Sequence, residues 1–192
     1  MDDSKKTVNK IEWREAATGG LYLGIVYAVL SIATLYLRNN QQVVSIISAI
    51  SFFSVAGFLF VYATRMARQY GNRGYTYLQS MRFILKMSMF AGVIAGIGLF
   101  IQNKINPESI RQQLEVTRDL YIGKGWDAQL IDQSFSMTEQ LMLNPLFVVI
   151  MGVGSMLVYG GLMGLIVSLF VRRKGTGSPT SANDLTGINT ET

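Results

Sequence analysis

The sequence predicts an all-α integral membrane four-helix bundle, with a helical hairpin outside the membrane between spans three and four. Two observations lead there: 49% of the 192 residues are hydrophobic against 15% charged, and the apolar residues gather in a few long runs. A third observation narrows the chemistry. The chain has no Cys and no His, which removes disulfides, thiol nucleophiles, the usual zinc and haem ligation and imidazole acid–base work.

Residues 1–15 are polar and mixed in charge and read as a cytoplasmic segment with no cleavable signal. Residues 16–171 form the membrane domain. Hydrocarbon about 30 Å thick takes roughly 20 apolar helical residues, and four runs meet that length, at about 16–37, 43–64, 83–101 and 146–171. The first run acts as a signal anchor. Only Lys86 interrupts the rule, one turn into the third span, where its four-carbon stem reaches toward the interface. No Asp, Glu or His lies inside any of the four runs, so no proton relay is expected.

Orientation follows from Lys and Arg, whose excess marks the cytoplasmic side. Twelve fall before span one, between spans two and three, or after span four; five fall on the other side. Both termini are therefore expected in the cytoplasm, and the segment 102–145 outside, as in a multi-pass protein of a bacterial inner (cytoplasmic) membrane.

Within 102–145, Asn106-Pro107-Glu108 is a helix start, with a side-chain cap, a proline at the first helical position and an acid at the positive end of the dipole. Ile110, Leu114, Thr117 and Tyr121 follow at helical spacing, and Gly123-Lys124-Gly125 stops the helix. Asp127 caps a second helix carrying Leu130, Ile131, Phe135, Thr138, Leu141 and Met142, ended by Asn144-Pro145. Its carboxylates are read as a solvated face. The residues 172–192 are polar and low in complexity and read as a disordered cytoplasmic tail.

Small residues recur every four positions inside the spans: Gly20 and Gly24 in the first, Gly92 and Gly96 in the third, Gly160 and Gly164 in the fourth. Such stripes let helix backbones approach closely where lipid is as apolar as the side chains. They fit packing within the bundle, against a second copy or against a membrane partner. Hydroxyls such as Ser31, Thr34, Ser45, Ser48, Ser51 and Ser155 are read as bonded to helix carbonyls. Ser88 and Lys86, two apart on a helix, do not face each other, so no activated nucleophile is expected. The methionines are scattered filler rather than a metal motif.

The second basic cluster has Arg65 and Arg68 on one face, a turn over Gly71-Asn72-Arg73-Gly74, then Arg82 and Lys86 with tyrosines between. A loop so short, tied to the membrane at both ends, is no nucleic-acid platform. Anionic lipid phosphate is its natural ligand, with Arg65, Arg68, Arg73, Arg82 and Lys86 as contacts.

The order of features resembles a family of uncharacterised bacterial four-span inner-membrane proteins known as a domain of unknown function. The residues that carry it are Ala16-Ala17-Thr18-Gly19-Gly20, Arg65 and Arg68, Gly74-Tyr75-Thr76-Tyr77-Leu78-Gln79, Asn106-Pro107, Asn144-Pro145 and the basic stop Arg172-Arg173-Lys174. The resemblance implies a setting near glycosyltransferases acting on polyprenyl phosphate, and it carries over no catalytic residue. The expectation is a non-enzymatic membrane accessory or scaffold protein of envelope biogenesis, without cofactor or metal, that packs on a membrane partner or on itself. The alternative is a lipid-handling protein that binds anionic or polyprenyl phosphate lipid at its basic cytoplasmic face.

Overall fold

The computed structural model describes residues 2–37, 40–70 and 74–172, the side chains of 2–8, Leu35 and Ser109 excepted. Arg73 with the turn at 71–73, Arg38, and the tail from 173 onward lie outside the described residues. Six helices and no strand occur among those described: α1 (Asp2–Tyr36), α2 (Gln41–Gln69), α3 (Tyr77–Ile105), α4 (Pro107–Gly123), α5 (Ala128–Met142) and α6 (Pro145–Val171). Four are long and apolar enough to cross a membrane, over Asn9–Thr34 and the whole of α2, α3 and α6. The fold is a helical membrane bundle with a helical hairpin, α4–α5, between its third and fourth spans.

The helices start where the sequence supplies caps. Asn40 accepts from the amides of Gln42 and Val43, and Asn144 from those of Leu146 and Phe147 with Pro145 at the first turn. Thr76 and Gln79 form a reciprocal capping box at α3. Asp127 caps α5 through the Gln129 amide. Gly74 and Gly125 take positive φ, 77° and 82°, where the chain turns into α3 and α5.

Three of the four long helices run past their apolar stretches, and α6 matches its run to within one residue. The largest difference is in α1, which begins at Asp2 rather than near residue 16. The polar residues 9–15 continue the same helix as the first apolar run and bury one side of it.

α3 is the axis of the bundle, packing most extensively on α6 and on α1, while α2 closes the other side against α1 and α6. Its two faces are both made close by small residues. Toward α1, a Cβ added at Gly20 would sit 2.5 Å from the Met87 carbonyl oxygen, and one at Gly24 2.8 Å from that of Ala91. Toward α6, Cβ atoms at Gly92 and Gly96 would lie 2.6 Å from Val153 Cα and 2.7 Å from Val149 Cα. The antiparallel register continues with Ser88 against Gly160, Ile84 against Gly164, and the Ser168 hydroxyl donating to that of Ser80 at 3.1 Å. The glycine stripes at Gly20, Gly24, Gly92, Gly96, Gly160 and Gly164 are thus filled by helices of the same chain.

Candidate functional site

We call the two ends of the bundle the terminal end, where α1 and α3 begin, and the hairpin end, where α4–α5 is attached. At the terminal end two carboxylates of α1 reach inward, Glu12 and Glu15, the second only 8% exposed. They are there because α1 starts early, which carries residues 12 and 15 onto the side that faces α2 and α3. The Lys86 ammonium donates to Glu12 at 2.7 Å and lies 4.8 Å over the Trp13 ring. Trp13 in turn meets Phe90 edge-on, centroids 6.0 Å apart. Arg65 approaches Glu15 at 3.4 Å. One charge pair therefore ties α1 to α3 and another ties α1 to α2, each with a carboxylate largely withdrawn from solvent.

Two tyrosines close this corner. Tyr70 and Tyr75 stand with ring centroids 4.9 Å apart. Burial first, and then the Glu12 charge, push both hydroxyls above the ordinary phenol range, so both stay protonated. Tyr75 is fully buried, and its hydroxyl has no hydrogen-bond partner among the described residues. Beneath them lies a hydrophobic core that includes Leu23, Val55, Leu59, Met66, Phe83, Ile84 and Met87.

Against this geometry the five cations of the predicted lipid site divide. Lys86 points inward to Glu12 instead of outward to the interface, and Arg65 is engaged by Glu15. Arg68 and Arg82 are exposed, with no carboxylate partner among the described residues. Glu12, Trp13 and Glu15 precede the first uncharged run, so span length and hydropathy do not reveal them as site residues. The signal was available: Ile11, Glu15 and Ala16 fall on one helical face ahead of Leu23.

The hairpin is held differently. The Asn103 amide donates to the Met142 carbonyl at 3.0 Å at its base, where α4 also meets α3 and α5 meets α6, and α4 and α5 pack on each other. Ile131, with the half-buried Ile110, Leu114 and Phe135, fills the seam. Two ion pairs brace the outside. Arg111 Nε meets Glu139 at 2.8 Å, and Arg118 grips Asp132 with two bonds of 2.6 and 3.3 Å. Those hydrogen bonds raise both guanidinium pKa values and lower that of Asp132. Val116, Leu120, Trp126 and Leu130 stay more than 60% exposed.

A family model described as Protein of unknown function (DUF4199) matches residues 18–173. The chain belongs to the DUF4199 family. That accords with the resemblance read from the order of motifs, and the match runs from residue 18 of α1 through the rest of the bundle and the hairpin to Arg172 and Arg173 after α6. No curated protein and no solved structure matches the chain. The description of the DUF4199 family names no activity.

Proposed function

We propose that this DUF4199 protein is a non-enzymatic accessory protein of a bacterial inner membrane, with both termini in the cytoplasm, whose exterior hairpin docks a membrane or envelope protein. The observation that supports this reading most is the hairpin itself. It is anchored to the bundle at its base, stiffened by two cross-helix ion pairs, and leaves Trp126 and Leu130 exposed at its far end. Rigid presentation of exposed aromatic and aliphatic side chains is what protein docking requires. The small-residue stripes, which the sequence left open to a partner, are filled internally, so the docking role moves to the hairpin.

The test is site-specific photocrosslinking in native membranes, with a photoreactive residue at Leu130 or, as control, at Phe170 on the lipid-facing side of α6. The expected result is one discrete protein adduct from position 130 and none from 170, lost on Trp126→Ser. Lipid adducts alone from position 130 would overturn the reading.

A second reading rests on Arg68 and Arg82, two of the exposed cations at the terminal end, as a site for anionic or polyprenyl phosphate lipid. If it holds, Arg68→Gln with Arg82→Gln lowers the anionic lipid that co-purifies with the protein and leaves the position-130 adduct unchanged.

A further inference from the structure

α2 does not close fully on the bundle at the hairpin end. An open cleft of about 400 Å³ lies there between α1, α2 and α6, within the size range of about 300–1,000 Å³ typical of small-molecule sites. It carries no charge. Its lining is Tyr27, Ser31 and Thr34 from α1, Ser48 and Ser51 from α2 beside Phe52, and Tyr159 from α6. At about 1.5 Å per residue, counting from Gln41 to Ser48 and from Pro145 to Tyr159, these groups sit roughly 10 to 20 Å below the hairpin end of the helices. That is hydrocarbon depth.

The hydroxyls fall into two sets. Thr34, Ser48 and Ser51 donate their protons to the carbonyls of Leu30, Val44 and Ile47, at 2.8 to 2.9 Å, leaving only oxygen lone pairs toward the cleft. Tyr27, Ser31 and Tyr159 make no such bond among the described residues, so their protons can donate to a ligand. Bare hydroxyls in hydrocarbon are costly unless something pairs with them. A ligand that satisfies both sets must donate and accept at once, must be neutral because neither cation nor carboxylate lines the cleft, and must present flat apolar faces to Tyr27, Phe52 and Tyr159. A phosphate offers only acceptors and charge. A polyol offers all three properties.

We propose that this cleft binds the sugar headgroup of a neutral glycosyl lipid whose acyl chains remain in the bilayer. The inference stands apart from the hairpin reading, since it rests on different residues.

The test uses the full chain in detergent micelles, titrated with monoglucosyl diacylglycerol bearing a photoreactive sugar, and with plain diacylglycerol and phosphatidic acid as comparisons. Native mass spectrometry reads retention, and peptide mapping reads the adduct. The expected result is selective retention of the glucosyl lipid, with adducts on residues 27–34 and 48–52. Tyr27→Phe with Tyr159→Phe keeps both rings and removes two hydrogen bonds, which should weaken binding about tenfold. Ser48→Leu, which fills the mouth of the cleft, should abolish binding, while Val61→Leu on the outer side of α2 leaves it intact. Equal retention of diacylglycerol or phosphatidic acid, binding unchanged in the double Phe variant, or adducts confined to other segments would each overturn the proposal. The adduct map needs no variant, so misfolding of Ser48→Leu cannot mask the outcome.

Discussion

Toward the terminal end, α2 buries Val55, Leu59, Ala63, Met66 and Ala67 against its neighbours; toward the hairpin end, the same helix buries Ile47 and otherwise borders a hydroxyl-lined cleft. One helix is thus packed in two ways along its length. Lipid tails are as apolar as the side chains, so nothing like the aqueous hydrophobic effect presses α2 inward, and closeness has to come from complementary surfaces and polar ties. The terminal end has both: a dense core and the pairs Lys86–Glu12 and Arg65–Glu15. The hairpin end has small residues only where α3 meets α1 and α6, and α2 stands off. Stability and binding capacity are separated along the membrane normal.

The largest effect should come from breaking the polar tie in the dense half. Glu12→Ala leaves Lys86 without its carboxylate in a largely buried position, and losing one member of such a pair costs on the order of 3 kcal/mol. Thermal unfolding in detergent should show a clear fall in midpoint for Glu12→Ala, and Lys86→Met added to it should recover most of the loss. Thr34→Ala, at the open end, should shift the midpoint far less. Equal shifts at both ends would remove the distinction drawn above.

A smaller effect separates glycines by what they touch. Gly92→Leu drives a side chain into the backbone of α6, whose Val153 Cα would be 2.6 Å from the first added carbon, and overpacking of this kind costs about 1 to 3 kcal/mol. At Gly57 and Gly154 an added Cβ meets nothing within 4 Å. Gly57→Ala and Gly154→Ala should therefore be neutral or slightly stabilising, by up to about 1 kcal/mol of helix propensity. The same unfolding midpoints check all three.

The glycine contrast also marks how far the sequence could be read. Spacing of four put Gly20, Gly24, Gly92, Gly96, Gly160 and Gly164 at helix contacts, because close approach leaves a residue-level trace. Caps were legible for the same reason: Asp127 and Asn144 each carry a local oxygen for a helix amide. The partners of long-range ties were not. Lys86 looked like a snorkelling residue because nothing local announces that Glu12, on another helix, lies 2.7 Å away. The cleft was hidden more deeply. Thr34, Ser48 and Ser51 bond their own helices as the sequence suggested, yet what matters is that α1 and α2 diverge beside them, and divergence is a property of the whole bundle.

The hairpin supplies the smallest effect, since it contributes little to the bundle and its ion pairs are exposed. Asp132 has its pKa lowered from 3.8, chiefly by the Arg118 hydrogen bonds. A depressed carboxylate favours the folded arrangement at any pH above its ordinary value, and that contribution disappears as the pH falls through the depressed native value. The Arg118–Asp132 pair is therefore whole at neutral pH and is lost as the pH falls through the depressed Asp132 value. Spin labels at Glu115 and Gln133, one on each arm, should report a narrow distance distribution at pH 7 that broadens in acid below the ordinary carboxylate range. Asp132→Asn should give the broadened distribution already at pH 7, with the unfolding midpoint of the bundle unmoved. A midpoint that falls with the brace would mean that the hairpin is part of the bundle's stability, and the comparison between ends would then have to include it.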